Sequence, residues 1–263
     1  MKLGMPDILD RLAQDVVETI KSGYYEEVGK ASTHKPRSLK HALGEAKGNP
    51  IIVEVKAASP SKGLFHKNLN PVKLSGQMIK GGAAGLSVLT EPKHFKGSIR
   101  YVAEISDTCS YPILMKDFIL SEAQLDAAVK AGASAVLLIQ TLFDRGYGEV
   151  ELGEMISRAH SKNLEVLLET HTVDEFKAGV ITGADLIGIN NRDLKTLVTD
   201  LRVTEYVLRE GGHPSKMVVS ESGVNTAEDI RFLRGCGADA FLVGSAVMES
   251  IDPERKVREL VEA

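Results

Sequence analysis

From residue 51 onward the chain repeats one unit, and that repeat constrains the fold more than any other feature. Short apolar runs recur as IIVEV (51–55), GLSVL (85–89), PILMK (112–116), AVLLI (135–139), LEVLLE (164–169), LIGIN (186–190), MVVSE (217–221) and AFLVG (240–244). Between them lie stretches with helical periodicity and start signals. Ser121 with Gln124 and Thr172 with Glu175 make capping boxes, and Thr226 with Asp229 fits the looser form. Gly132, Gly183 and Gly237 stand where the helices should stop. Strands alternating with helices imply a parallel sheet buried on both faces, so each run reads as continuously apolar. Eight such units in roughly 210 residues match a closed (β/α)8 barrel, the TIM-barrel architecture, typically about 250 residues long. A doubly wound sheet is the competitor, but it needs a Gly-rich turn after its first strand. The GxG at Gly235-Cys236-Gly237 precedes a strand instead.

Ahead of the barrel, residues 7–20 place Ile8, Leu9, Leu12, Val16, Val17 and Ile20 on one helical face. About fifty residues are marginal for a separate core, so 1–49 read as an N-terminal helical extension of one domain, with the barrel over 50–263. The net charge of −4 leaves no basic excess to point to nucleic acid or anionic membrane. No run approaches the roughly 18–20 apolar residues of a membrane span, and the acidic amino terminus is not a signal peptide. Cys109 and Cys236 lie far apart without metal-ligand spacing, which suits reduced structural thiols in a cytoplasmic protein.

In barrels of this kind chemistry sits at the carboxyl ends of the strands, and the polar residues collect there. The first strand ends in Glu54 and Lys56, the third in Lys116 and the fifth in Glu169. The sixth ends in Asn190 with Arg192 beyond it, and the seventh in Glu221 and Ser222. Glu54 and Lys56 are two apart, so they share a strand face. A Glu–Lys pair at a barrel mouth is also an ordinary structural salt bridge. Polar residues from so many strands at one end are harder to explain structurally, because an unpaired buried charge is expensive. The last two loops, Ser222-Gly223 with Asn225 and Thr226, and Gly244-Ser245, suit an anion, since glycine admits close backbone approach and a helix start adds its dipole. Tight left-handed turns account equally well for either loop alone. Together they occupy the recurrent phosphate position of this fold and favour a phosphorylated small-molecule substrate, with the Ser59 hydroxyl as an added donor.

Other candidates fail. No HExxH or His/Cys cluster supports a catalytic metal. His171 is a lone loop histidine. SESG lacks the first glycine of a nucleophile elbow, Ser220 standing in its place. Phe65 and Phe118 follow strand ends, where they could stack on an aromatic substrate or merely pack against loops.

Taken in order, EVKAASPSKG (54–63), LSVLTEPKHFKGS (86–98), PILMKDFI (112–119), AVLLI (135–139), IGINNRDLKT (187–196), VVSESGV (218–224) and FLVGSAVM (241–248) resemble the indole-3-glycerol phosphate synthase family, from about residue 35 to 250. The resemblance implies closure of the indole ring of 1-(2-carboxyphenylamino)-1-deoxyribulose 5-phosphate, with loss of carbon dioxide and water, in tryptophan biosynthesis. It implies Lys116 as general acid, Glu169 as base in the dehydration, and Lys56 on the substrate carboxylate and as an acid. Glu54, Asn190 and Glu221 orient the site, while Ser59, Ser222, Gly223, Gly244 and Ser245 hold the phosphate and Arg192 follows the Asn of an N-x-R-D pattern. It further implies no metal or organic cofactor and an extension lying over the barrel mouth, and it leaves association with other tryptophan-pathway enzymes open. The chain departs from the pattern at Ala57, Met115 and Ser245-Ala246-Val247, and lacks a Tyr before the second strand; no assigned chemical group is lost. The rival is a Schiff-base aldolase using Lys116 or Lys56 as nucleophile.

Overall fold

The structure is a computed structural model that describes residues 7–29, 32, 36–59, 63–65 and 69–263. Eight parallel strands close into a barrel: β1 (Ile51–Val55), β2 (Gly85–Leu89), β3 (Ile113–Lys116), β4 (Ala135–Ile139), β5 (Glu165–Thr170), β6 (Leu186–Asn190), β7 (Met217–Glu221) and β8 (Ala240–Val243). Each strand pairs with its neighbours in sequence, and β1 closes the ring against β8 through Ile51–Phe241, Ile52–Leu242 and Val53–Val243. Every apolar run became a strand. Pro112 drops out of β3 because proline has no N–H for the ladder, although its carbonyl still accepts from Leu86 at 3.0 Å.

Alternation along the strands sorts two layers. Ile52, Leu114, Leu137, Leu167, Leu186, Val219 and Leu242 fill the barrel, whereas Val53, Met115, Val136, Leu168, Ile187 and Val243 face the helices. All three capping boxes are present, at Ser121, Thr172 and Thr226. Gly132 is a left-handed C-cap at φ 86°. Gly183 lies two residues beyond its helix's actual cap, Ile181. A two-residue hairpin after β1, Ala58–Ser59 against Gly63–Leu64, has no apolar pattern to announce it.

The N-terminal segment divides. Helix α1 (Ile8–Lys21), capped by Asp7 and Asp10 in a mutual box, buries Leu9, Leu12, Ala13 and Val16 against the catalytic end of the barrel. Burying each large side chain stabilises by roughly 1.5–3 kcal/mol. Ile8 lies at the edge of that stripe and stays partly exposed over the mouth. Two ion-pair groups pin α1 across the opening. Arg145 reaches Asp10 at 2.6 Å and Asp7 at 2.9 Å on one side, and Lys93 and His94 reach Glu18 at 2.8 Å and Asp15 at 2.7 Å on the other. The short helix α2 (Leu39–Gly44) instead plugs the opposite end, so the expectation of an extension over the mouth holds for α1 and not for α2. Leu39 and Leu43 close the apolar interior there, and the Glu165 carboxylate accepts the Leu39 and Lys40 amides at 2.8 and 3.0 Å. An open barrel bottom would wet that interior.

Candidate active site

Lys116 is the hub of the catalytic end. Its Nζ lies 2.8 Å from Glu221 Oε2, 3.8 Å from Glu54 Oε2 and 3.9 Å from Glu169 Oε2. The other Glu54 oxygen is 2.9 Å from Lys56 Nζ, which donates to Ser245 Oγ at 3.1 Å. One carboxylate thus bridges two ammonium groups, Lys56 just past the end of β1 and Lys116 at the end of β3. Asn190 donates to Glu169 Oε1 at 2.9 Å and takes the Arg192 amide on its own Oδ1 at 2.9 Å, fixing both neighbours. These contacts are nearly sealed from water: Glu221 is 0% exposed, Glu169 4%, Glu54 6% and Lys56 9%.

Burial and charge act against each other here, and the winner differs by residue. For Glu169, burial dominates and the Glu221 charge adds to it. Its carboxyl is raised to about 7, although Lys116 and the Asn190 amide pull the other way. For Lys116, burial alone would favour the neutral amine, but Glu221, Glu54 and Glu169 outweigh it and raise the pKa. Burial likewise works to raise Glu54, and Lys56 and Lys116 together overcome it, leaving that carboxyl lowered. A carboxylate near neutrality beside a firmly protonated amine is a base next to an acid.

Two adjoining cavities meet at this network. One, of about 320 Å³, is walled on one side by Leu89, Phe95, Phe118, Leu137 and Ile139, with Ile8, Arg11 and Leu12 of α1 above. The other, of about 290 Å³, is lined by Gly223, Asn225, Gly244 and Ser245. Glu54, Lys56, Lys116, Arg192 and Ser222 border both. The second cavity ends on the helix Ser245–Met248, whose first turn presents backbone N–H groups and the positive end of its dipole. Ser222, at φ 67°, is a non-glycine residue in left-handed backbone, followed by Gly223 at φ 86°. Such a turn holds only if its surroundings fix it. Buried Asn191 does so, donating to the Ser222 carbonyl and to Ser220 Oγ, each at 3.0 Å.

The model of the indole-3-glycerol phosphate synthase family matches residues 5–260, α1 included. The chain belongs to the indole-3-glycerol phosphate synthase family. The activity is that family's, a carboxy-lyase step of tryptophan biosynthesis. The chain is 41% identical over 254 residues to indole-3-glycerol phosphate synthase of Methanocaldococcus jannaschii, covering 94% of this chain and 92% of that protein. It is 39% identical over 259 residues to that of Koribacter versatilis, covering 97% of each. Among solved structures, a 3-hexulose-6-phosphate synthase overlays with a TM-score of 0.62 at 14% identity, covering 80% of this chain and 97% of that one. That likeness concerns the barrel alone.

Of the residues singled out in the sequence, Glu54, Lys56, Lys116, Glu169, Asn190, Arg192, Ser222, Gly223, Gly244 and Ser245 line these two cavities, and Glu221 is buried beneath them against Lys116. Ser59 lies on the short hairpin, and its side chain is outside the described residues. His171 is committed elsewhere, its Nδ1 paired with the Asn190 carbonyl at 2.7 Å. Phe118 does line the apolar cavity, 6.0 Å from Phe95, while Phe65 lies under Lys56 at 5.4 Å. Sequence reasoning missed Asn191, Glu91 and Asp117. Glu91 accepts three successive amides, Lys93 to Phe95, and so shapes the loop bearing Phe95. Asp117 takes hydrogen bonds from Tyr25 at 2.9 Å and Thr90 at 2.5 Å, and burial raises it to about 7. The adjacency of Asn191 and Asp117 to Asn190 and Lys116 was the available signal.

Proposed function

We propose that the ring closure runs at the junction of the two cavities, with Lys116 as general acid and Glu169 as base. The observation behind this reading is the pairing itself. An apolar cavity suited to an aromatic ring abuts an amide-rich one suited to a phosphate, and Lys116 stands between them. Held at both ends, the flexible carbon chain of 1-(2-carboxyphenylamino)-1-deoxyribulose 5-phosphate folds back so that its ring carbon reaches the ketone. Binding energy from the remote phosphate thereby orients the reacting atoms.

The ring carbon bearing the carboxylate attacks the ketone carbon, and Lys116 protonates the oxygen as it becomes an alkoxide. The positive charge left on the ring lies beside Glu169, and loss of carbon dioxide returns the electron pair to the ring. Dehydration then needs one proton removed by Glu169 and one delivered to the departing hydroxyl by a lysine, either Lys116 or Lys56. Two protons enter and one leaves, so each turnover consumes one proton net, matching the carboxylate lost as carbon dioxide. Glu221, 2.8 Å from Lys116, orients it, and Glu169, 3.9 Å away, is placed to return its captured proton to the amine. Lys56 binds a substrate anion beside Ser245 with Glu54 holding it, and Ser59, Arg192, Ser222, Gly223 and Gly244 complete the anion site. In this reading the N-terminal segment and barrel work as one domain, no metal or organic cofactor is required, and the enzyme acts in the cytoplasm alongside other tryptophan-pathway enzymes that pass on phosphorylated intermediates.

A Schiff-base aldolase would need a neutral lysine as nucleophile. Three carboxylates within 4 Å keep Lys116 protonated, against that role. The test is the fluorescence of the indole product formed from the carboxyphenylamino substrate. Lys116→Ala should lower turnover by roughly two to four orders of magnitude with substrate still bound, the scale of a lost general acid. Near-normal turnover in a folded Lys116→Ala protein would refute the assignment.

A further inference from the structure

Glu221 is the most buried charge in the network, and only one of its oxygens has a partner. Oε2 meets Lys116, while Oε1 has no hydrogen-bond partner among the described residues. Hydrogen bonding therefore does not locate the far side of this carboxylate; shape does. Across from it lies Gly188 on the neighbouring strand β6. Leu186, two residues earlier, packs in the barrel interior, and Ile187 and Ile189 pack outside, so position 188 faces inward. A Cβ at Gly188 would lie 2.1 Å from Glu221 Oε1 and 3.3 Å from its Cδ. The nearest other atom, Glu169 Cα, stands at 3.4 Å, an ordinary contact.

We propose that Gly188 is a positioning residue for the reaction: its missing side chain is the space the Glu221 carboxylate occupies, which aims Lys116 at the ketone oxygen. The inference rests on the roles given above to Lys116 and Glu221. A methyl group at 188 meets the flexible end of a side chain and not backbone, so the strand can stay in place while the carboxylate is pushed off its present position. Lys116 loses its 2.8 Å partner and its aim. The position is thus set by close approach and not by backbone conformation, since Gly188 lies within a regular strand.

A double-mutant cycle tests this with four purified proteins: wild type, Gly188→Ala, Glu221→Ala and the double variant. Gly188→Ala should lower kcat on the order of 10²-fold, the scale of a misplaced catalytic group, while KM changes little. In the Glu221→Ala background the same methyl has no carboxylate to displace, and it should add no more than about a twofold loss. A double variant that loses activity additively would overturn the inference, since Gly188 would then act through something else. So would a Gly188→Ala enzyme with wild-type kcat beside an impaired Glu221→Ala enzyme, and that result would leave the role of Glu221 standing. An unimpaired Glu221→Ala enzyme would remove both. If Gly188→Ala alone fails to fold, the double variant decides: a folded double variant supports the clash with Glu221, and an unfolded one contradicts it.

Discussion

Replacing Glu169 by Gln should make the barrel more stable at neutral pH and nearly inactive. Glu169 is 4% exposed, and burial followed by the Glu221 charge raises its carboxyl from 4.5 to about 7. A folded-state pKa above the unfolded one means the folded chain binds this proton more tightly. The resulting stabilisation is fully present below about pH 4.5 and is lost as pH rises through about 7. At 1.36 kcal/mol per pH unit, that interval amounts to ~3 kcal/mol, of which ~2–3 kcal/mol disappears between pH 5 and pH 8. This is a large share of the roughly 5–15 kcal/mol that holds a domain folded. Gln carries no such charge and can still accept the Asn190 hydrogen bond through its carbonyl. Urea unfolding of both proteins at pH 5 and pH 8 isolates the effect: wild type should lose that extra stability over the interval and Glu169→Gln should not. Asp117, also raised to about 7, titrates in both and cancels. Turnover of Glu169→Gln should fall by roughly two to four orders of magnitude, and the acid limb of the wild-type kcat profile should lie near pH 7. Equal pH dependence of stability in the two proteins, or substantial turnover in the variant, would refute the reasoning.

Ser245→Glu places a carboxylate at the mouth of the anion cavity beside Lys56, where like charges about 4 Å apart repel by a few kcal/mol. KM should rise by more than about tenfold with a smaller change in kcat, and an unchanged KM would count against phosphate binding there. Arg145→Ala removes the charge-assisted hydrogen bonds to Asp7 and Asp10, roughly 1.5–3 kcal/mol each. Because Ile8 and Leu12 roof the apolar cavity, α1 should become protease-sensitive and KM should rise several-fold; equal cleavage rates in variant and wild type would show that this clamp does not hold the roof.

The eight strands were legible because a strand buried on both faces must be apolar along its whole length, and five of those runs end at a residue the barrel interior would reject. Glu54, Lys116, Glu169 and Glu221 stood out for that reason, and their convergence follows from barrel closure. What stayed hidden depends on distance or on absence. Tyr25 and Asp117 are 92 residues apart, and neither carries a local sign of the other. The split of the extension into a roof and a plug depends on which barrel end each helix meets; Glu165, which seats α2, reads in sequence as an exposed strand start. Gly188 passes for one more small residue in LIGIN until the Glu221 carboxylate is seen against it.

A crystal structure with bound indole-3-glycerol phosphate would probe the shared junction most directly. The phosphate should rest on the amides of Gly223, Gly244 and Ser245, the indole ring against Leu137, Ile139 and Phe118, and Lys116 Nζ within hydrogen-bond reach of where the ketone oxygen departed. A ligand lying reversed, or bound with its ring remote from Lys116, would contradict the account.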